Sequence, residues 1–298
     1  MMSELFKKIE PLEKKRKELF SQYSKNITIA VILTIIIVGL VILLIESGPG
    51  FFFPLFLLII PVFFSMKAVG ISYKFKETIK NELVHIVLED KFDDVYYDRH
   101  QSIPQSVIDQ TGLVKRPDRF SGEDFIKGTY KGVSFEVSDV TLRERQEHVD
   151  SKGNRTVTYP VYFKGRWYVY KFPKMFKGTL KICETHPNNA KGLEKLDTES
   201  MAFNKKFRLY ASDKQYAFYH LTPIMMEKLL ELEKLHRGSI YFYYAGNELH
   251  IGVNDSQDYL EIPFRKEIDE KAMKAFEGDV DLIPSIINEL KLTSDKFK

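Results

Sequence analysis

Two long apolar runs lie near the start of the chain, separated only by Glu46-Ser-Gly-Pro-Gly50. The first run, residues 27–45, has 19 residues, carries no charge, and contains fifteen Ile, Leu or Val residues. As a helix it would span ~28 Å, close to the ~30 Å thickness of a bilayer's hydrocarbon core. A soluble core helix needs only one apolar stripe, whereas this run is apolar on every face. The sequence therefore predicts a membrane span here.

The second run, residues 51–66, is shorter and contains Pro54 and Pro61. Its 16 residues would span only ~24 Å as a helix, and each proline disturbs helical hydrogen bonding. We expect a second span that extends past Lys67 and turns the N-terminal region into a transmembrane hairpin. A re-entrant segment is the alternative, and it would place the rest of the chain on the other side of the membrane.

Charge indicates how this hairpin is oriented. Residues 1–26 carry a net +3 and residues 67–80 another +3, so with Glu46 the remaining residues 81–298 sum to −2. Because Lys and Arg resist translocation, both termini are predicted in the cytoplasm of a two-span cell-membrane protein. Lys67, Lys74 and Lys76 are the predicted contacts with the bilayer interface. A nearly neutral large domain argues against a nucleic-acid partner, which requires a basic face.

The remaining sequence predicts an α+β domain with a mainly antiparallel sheet. Residues 1–90 form the predicted hairpin with flanking juxtamembrane helices, and residues 91–298 form the soluble domain. Apolar alternation at Val133, Phe135 and Val137 is typical of a strand. β-Hairpins are expected at 161–172 and 239–253, and a loop or hairpin tip at 144–156. Helices are expected at 102–112, where Gly112 would end the helix, at 222–238, where Thr222-Pro223 would cap and begin it, and at 281–292. The polar stretch 186–198 is a possible subdomain boundary.

Glycine is expected to mark the turns of this sheet. Lys-Gly pairs recur at 127–128, 131–132, 164–165 and 177–178, each before an apolar stretch. Glycine tolerates positive φ, so we interpret all four pairs as turns between short strands.

Several segments together resemble the bacterial family known as domain of unknown function 3137. The matching residues are Phe120-x-Gly122-x-Asp124, Gly128, Phe135, Val161-Tyr-Phe-Lys-Gly165, Glu199, Phe203-Asn-Lys-Lys-Phe207, Tyr210-Ala-Ser-Asp213, Leu221-Thr-Pro223 and Asp258-Tyr-Leu-Glu261. The resemblance covers about residues 90–292, and similar proteins commonly carry an N-terminal membrane hairpin. It implies the architecture and brings no activity, cofactor or catalytic residue.

Known catalytic and cofactor motifs do not occur in the sequence. The seven histidines form no close ligand pair, and the sequence has no Walker loop, dinucleotide fingerprint or nucleophile elbow. The single cysteine, Cys183, excludes an internal disulfide framework. We therefore predict no metal and no cofactor, and the sequence leans against an enzyme.

One set of residues carries a catalytic hypothesis. Asp124, Asp213, His220 and Glu261 would supply paired carboxylates and a base if they converged in one pocket. The alternative is structural, because carboxylates beside turns and strand ends usually satisfy local backbone amides.

An aromatic series at 241–244 gives a second hypothesis. With Phe242 facing the core, Tyr241 and Tyr243 would be an exposed pair that binds a ligand or partner. Strand aromatics more often serve as core and cover, and that alternative stays open.

These predictions favour a membrane-anchored cytoplasmic module that binds a partner protein or a small ligand. Two other functions stay open at this point. One is a membrane-anchored hydrolase using the carboxylate–histidine set, and the other is a sensor of anionic lipid through the basic juxtamembrane helices.

Overall fold

A computed structural model describes residues 2–44, 53–235 and 238–297 of the chain. The chain forms two compact units. The first unit comprises Met1–Val87 together with Glu261–Phe276, and the second comprises Leu88–Leu260 with Glu277–Lys298. Residues 261–276, which sequence reasoning assigned to the soluble domain, are therefore part of the N-terminal unit. We call them the returning segment.

The first unit is built mainly from helices. These are α1 (Met2–Leu44), α2 (Phe53–Phe56) and α3 (Ile59–Phe75), followed by a π-helical turn (Lys76–Lys80) and α4 (Asn81–Lys91). The juxtamembrane helix and the first apolar run are one continuous helix, α1, which packs against α3. Stretches Lys8–Leu44 and Pro54–Lys91 are long and apolar enough to cross a membrane by length and composition. The connection at 46–50 lies outside the described residues.

The prolines of the second run interrupt its helix, as expected. Helix α2 ends at Phe56 and α3 begins at Ile59, so Pro61 lies in the first turn of α3. A proline is tolerated there because the first amides of a helix have no intrahelical acceptor.

The returning segment packs on the charged half of α1 and on the end of α3. The ring of Phe264 lies 5.6 Å from that of Phe20, 5.3 Å from Tyr23 and 4.6 Å from Phe75, measured between centroids. The buried Arg16 guanidinium donates a 2.9 Å hydrogen bond to the Phe264 carbonyl. Aromatic packing and a charge-assisted hydrogen bond thus fix the segment to the helices.

The second unit is an antiparallel sheet with helices, which confirms the α+β class. Its strand order is β1-β2-β3-β6-β8-β7, and β9 also pairs with β6. The strands are β1 (Asp93–Asp98), β2 (Arg119–Tyr130), β3 (Val133–Arg143), β6 (Val161–Cys183), β7 (Glu194–Leu196), β8 (Arg208–Ala211) and β9 (Ser239–Asn254). β4 (Gln146–Val149) and β5 (Arg155–Thr158) form a separate exposed two-stranded hairpin, as predicted for 144–156.

Two of the predicted hairpins are wrong. Residues 161–172 belong to the single long strand β6, and residues 239–253 belong to the single strand β9. Both halves of β9 pair with β6, from Gly165↔Asn254 to Cys183↔Tyr241. Register shifts on either side of Phe176↔Gly246 let the pair bend without reversing. The glycines that suggested turns therefore lie within long paired strands and do not reverse the chain.

Only one of the four Lys-Gly pairs, Lys131-Gly132, forms a turn. Both of its residues have positive φ, 50° and 79°, as a two-residue hairpin turn between β2 and β3 requires. Gly165 lies inside β6 instead, where a Cβ would be 2.1 Å from the Val253 carbonyl oxygen. A residue without a Cβ is needed at this position, because β9 approaches the β6 backbone closely there.

Beyond α4, the described residues form five further helices: α5 (Gln105–Thr111), α6 (Met201–Lys206), α7 (Lys214–His220), α8 (Pro223–Leu235) and α9 (Glu270–Glu289). Residues 270–276 of α9 belong to the first unit, and the rest of α9 belongs to the second. Gly112 ends α5 in the left-handed conformation, and the Thr222 hydroxyl caps α8 by accepting from the Met225 amide, both as predicted. Helix α9 begins at Glu270, earlier than the predicted 281, and includes Pro284.

The two faces of β6 divide the core of the second unit. Phe163, Trp167 and Val169 face an apolar cluster that includes Ile103 and Ile108 beside α5. Arg166, Tyr168 and Tyr170 alternate with them on the opposite face, where the Tyr170 hydroxyl donates to the Ile283 carbonyl of α9. Burial on both faces explains why β6 lacks the polar alternation of an exposed strand.

Candidate functional site

A polar cavity of about 210 Å³ lies where β2, β3 and β6 run side by side. Its lining consists of Ser121, Gly122, Glu123, Asp139, Val140, Thr141, Lys164, Gly165, Gln257 and Asp258. We call it the bulge cavity, because the register of β2 and β3 shifts between Glu123 and Ile126. Bulges often occur beside functional sites, where they redirect side chains.

Two glycines and the bulge create this space. A Cβ on Gly122 would lie 2.5 Å from the Ser102 Cβ, and one on Gly165 would meet β9. Asp124 has a φ of +56°, a left-handed conformation that directs the chain out of regular strand geometry. Larger side chains at Gly122 or Gly165 would therefore displace backbone and close the cavity.

A buried ion pair adjoins the cavity through Asp139, which is part of the lining. Arg166 Nε donates to Asp139 Oδ1 at 2.8 Å, and the two residues are 1% and 7% exposed. Burial raises the pKa of Asp139, and the Arg166 charge opposes that rise. Burial also disfavours the Arg166 cation, but pairing with Asp139 outweighs it and raises the guanidinium pKa. The pair holds opposite charges beside the cavity in a site of low dielectric constant.

Backbone groups bind both members of this ion pair. Asp139 Oδ2 accepts from the Tyr259 amide at 2.9 Å, and Arg166 Nη1 donates to the Asp279 carbonyl of α9 at 2.9 Å. Asp279 Oδ2 accepts from the Leu260 amide, and the Tyr259 ring lies 4.0 Å from the Arg166 guanidinium carbon. The network therefore joins β3, β6 and α9 to the segment after β9.

The opening of the cavity carries an exposed ion pair. Lys164 Nζ lies 2.9 Å from Asp258 Oδ1, with side chains 33% and 53% exposed. Together with Glu123, Ser121 and Thr141, this pair offers carboxylate, hydroxyl and ammonium groups within one small space. Such a lining suits a small polar ligand that carries hydrogen-bond donors. Among the described residues, no group of three His, Cys, Asp or Glu side chains is arranged to hold a metal ion.

Asp124 lies beside this cavity and is bound to β1. It is 2% exposed, and its carboxylate accepts a 2.5 Å hydrogen bond from the Tyr97 hydroxyl. Burial and the neighbouring Asp124 charge raise the pKa of Tyr97, which keeps the phenol a donor. The backbone amide of Asp124 donates to the Arg99 carbonyl. These contacts give Asp124 a role in joining β1 to the bulge.

Asp213 and His220 lie at opposite ends of α7. The Asp213 carboxylate accepts from the Tyr216 amide at 2.7 Å and caps the helix. His220 is 3% exposed and lies among the rings of Tyr216, Tyr219, Tyr244 and Phe297. Burial, with the charges of Lys296 and Lys174, lowers the pKa of His220 to about 4.

Burial of His220 should destabilise the folded chain in acid. Its pKa is depressed in the folded chain and near 6.5 in the unfolded chain, so the unfolded state binds more protons as pH falls. Stability from the neutral imidazole is present above pH 6.5 and is lost as pH falls towards 4. We expect His220→Phe to reduce this loss, measured as the difference between its melting midpoint and that of the wild type across pH 4–7. If the difference in melting midpoint between His220→Phe and the wild type is the same at every pH, His220 is not the source of the acid sensitivity.

Glu261 belongs to the first unit, whereas Asp124, Asp213 and His220 belong to the second. Its Oε1 lies 2.7 Å from Nζ of Lys80, a buried lysine in the π-helical turn, and its Oε2 lies 3.9 Å from Nζ of Lys76. The four candidate residues thus have separate structural partners, and the contacts described for them are those of the structural alternative.

The tyrosine pair divides in the structure. Tyr241 is only 8% exposed and offers little surface, since its ring packs near Phe163 and its hydroxyl bonds to the Thr185 hydroxyl. Tyr243 is half-buried, 5.5 Å from Lys181 Nζ. Tyr241 is not exposed as expected, because it belongs to the buried apolar cluster that includes Ile108 of α5 and Phe163.

The three interface lysines have distinct surroundings. Lys67 Nζ lies 4.6 Å over the Phe63 ring on α3, and Lys74 lies in the last turn of that helix. Lys76 begins the π-helical turn and faces Glu261. The sequence predicted the positions of these lysines on the helix. It did not predict the contact of Lys76 with Glu261, because that contact depends on the returning segment packing on the helices.

Sequence reasoning missed both the Asp139–Arg166 pair and the bulge cavity, although a signal for the cavity was present. Four residues quoted in the family resemblance, Gly122, Lys164, Gly165 and Asp258, line the bulge cavity. They come from three distant parts of the sequence, and only β-sheet pairing brings them together. The motifs therefore indicated the cavity only when taken together, and interpreting each one as a local turn missed it.

Comparison with known proteins agrees with the resemblance over part of the chain. The sequence model of a family described as a protein of unknown function (DUF3137) matches residues 161–292, which supports that family for this range. Among curated proteins, none matches. The crystal structure of the mycobacterial trehalose monomycolate transport factor A, TtfA, is similar at a TM-score of 0.36 and 6% identity. That alignment covers 65% of this chain and 88% of TtfA.

Proposed function

We propose that the chain is a two-span membrane protein that displays its sheet unit in the cytoplasm as a binding module. The observation that carries the membrane part is the exposure of apolar side chains on the long helices. Ile35, Leu43 and Ile59 are 65%, 76% and 70% exposed, and many more exposed apolar residues accompany them on the same helices, whereas soluble proteins rarely expose large apolar patches. A lipid environment would cover them, and the flanking lysines would face the headgroups.

The binding part of the proposal rests on the bulge cavity. Polar side chains from adjacent strands and from the chain after β9 line it, and one of them, Asp139, is held by its buried ion pair with Arg166. A small polar ligand, or a polar side chain of a partner protein, fits this chemistry. Hydrolysis by Asp124, Asp213, His220 and Glu261 gains no support from their separate contacts. Lipid sensing by Lys67 and Lys74 remains compatible with the anchor.

Thiol labelling tests the topology without interference from the native cysteine. Cys183 is fully buried, and burial raises its pKa to about 12, so it reacts slowly with maleimide. We expect Ser47→Cys, between the apolar runs, to be labelled in intact cells by an impermeant maleimide. Ser151→Cys, in the exposed β4–β5 turn, should be labelled only after permeabilisation. Labelling of Ser151→Cys in intact cells would place the sheet unit outside.

Quantitative co-purification tests the binding site. We expect small molecules or proteins that co-purify with the full chain to be depleted by Lys164→Met with Asp258→Asn, which remove the charged opening of the cavity. Lys127→Met is the matched control, because Lys127 is an exposed lysine on β2 that does not line the cavity. Identical co-purifying material in all three proteins would remove the cavity as the binding site.

A further inference from the structure

A second cavity, of about 200 Å³, lies between the start of α8 and the chain that follows α9. Its lining includes the capping residue Thr222, Ile224 and Met225 of α8, the lysines Lys228, Lys291 and Lys296, and Glu289. We call it the C-terminal cavity. Lys228 is neutralised there by Glu231 and Glu289, each 2.8 Å from its Nζ. The contacts described for Lys291 and Lys296 include no carboxylate.

Lys296 is held near a second cation. Its Nζ donates to the carbonyl oxygens of Tyr219 and His220 at 2.6 and 3.1 Å, and it lies 4.9 Å from the Tyr219 ring centroid. Lys174 Nζ lies 5.9 Å from the same centroid. Burial and the Lys174 charge lower the pKa of Lys296, and both lysines depress the pKa of His220. Two ammonium groups held around one ring repel each other unless an anion joins them.

Lys291 adds a third cation at a conformational cost. It has a φ of +52° at the end of α9, where the Leu292 amide donates to the Ile287 carbonyl and its own amide to the Asn288 carbonyl. This pattern is the Schellman motif, whose left-handed position is normally glycine. A lysine adopts this conformation at a small cost that glycine would avoid.

We propose that the C-terminal cavity binds a phosphate-type anion, either free phosphate or the phosphate of a lipid headgroup, through Lys291 and Lys296. Lys174 lies outside the lining, near Lys296, and adds positive charge there. Phosphate oxygens accept several charge-assisted hydrogen bonds and neutralise the gathered ammonium groups. The exposed side chain of Ile224 at the rim, 59% accessible, is compatible with either source.

Acetylation of Lys296 in the detergent-solubilised full chain reports on occupancy. A trace of acetylating reagent is applied with inorganic phosphate or with water-soluble dihexanoyl phosphatidic acid, each against chloride at matched ionic strength. We expect phosphate to slow Lys296 modification roughly tenfold when it is about ten times its Kd. Protection by phosphatidic acid at far lower concentration would identify a lipid headgroup, and equal protection would identify free phosphate. Protection no greater than with chloride would overturn the proposal.

Variants separate binding from folding. Lys174→Met and Lys291→Gly should each abolish the protection of Lys296, whereas Lys234→Met, an exposed lysine of α8 outside the cavity, should retain it. Lys291→Gly should also raise the melting midpoint by about 2–4 °C, because glycine relieves the left-handed strain. Full protection in Lys291→Gly and Lys174→Met would overturn the proposed site.

Discussion

Arg166→Met will lower the apparent melting midpoint of the full chain by about 10 °C. Arg166 is 1% exposed and is the charged partner of the buried Asp139. Removing one member of a buried pair leaves the other charge uncompensated, at a cost of about 3–5 kcal/mol. The lost hydrogen bond to the Asp279 carbonyl of α9 adds to this. In a unit of this size each kcal/mol shifts the midpoint by roughly 2–4 °C.

Fluorescence of the single tryptophan measures this effect in the relevant unit. Trp167 follows Arg166 in β6 and is fully buried, so its emission shifts when the sheet unfolds. Arg119→Met is the control, because Arg119 is exposed on β2 and stacks on the Tyr159 ring, a contact whose loss should cost about 1 kcal/mol at most. Equal midpoints for the two variants would show that the ion pair does not stabilise the sheet.

Phe264→Ala will release the returning segment from the helices of the first unit. Its ring contacts those of Phe20, Tyr23 and Phe75, and deleting a packed phenylalanine ring costs about 3 kcal/mol or more. The Ile268 amide, which donates to Glu13 Oε2 at 3.1 Å, reports on the attachment. A loss of about 3 kcal/mol corresponds to roughly 100-fold faster hydrogen exchange of that amide if exchange follows local opening.

The matched control for this experiment is Phe264→Leu. Leucine keeps most of the apolar volume, so exchange at Ile268 should rise only modestly. If Phe264→Ala leaves the Ile268 amide as protected as in the wild type, then hydrogen bonds and ion pairs alone hold the segment. Arg16 to the Phe264 carbonyl and Lys17 to Glu267 would be the contacts to remove next.

Local patterns in the sequence predicted much of the fold. Apolar runs identified α1 and α3, Gly112 marked the end of α5, and Thr222-Pro223 marked the start of α8. These signals depend on neighbouring residues, so one sequence is sufficient to read them. The hairpin predictions for β6 and β9 failed because a glycine bend inside a long paired strand has the same local pattern as a turn.

The candidate sites were harder to predict, because they depend on long-range pairing. Asp139 and Arg166 are 27 residues apart and Asp279 is 113 residues from Arg166, so no spacing rule joins them. Asp213 illustrates the opposite case, since its place at a strand end already indicated a carboxylate that satisfies local backbone amides, and in the structure it caps α7. A carboxylate with a local backbone partner can be recognised from sequence, whereas a buried charge network cannot.

The returning segment has a practical consequence for dividing the protein. Cutting before residue 91 removes Phe20, Tyr23 and Phe75 but leaves Phe264 and the buried Ile262 and Ile268 attached to the remaining chain. Such a soluble fragment would present an apolar strip to water and invite aggregation. Ending it at residue 260 instead would delete α9, and with it the Asp279 carbonyl that Arg166 requires. The anchor therefore cannot be trimmed by a single cut, and a well-behaved soluble fragment will need polar replacements within residues 261–276.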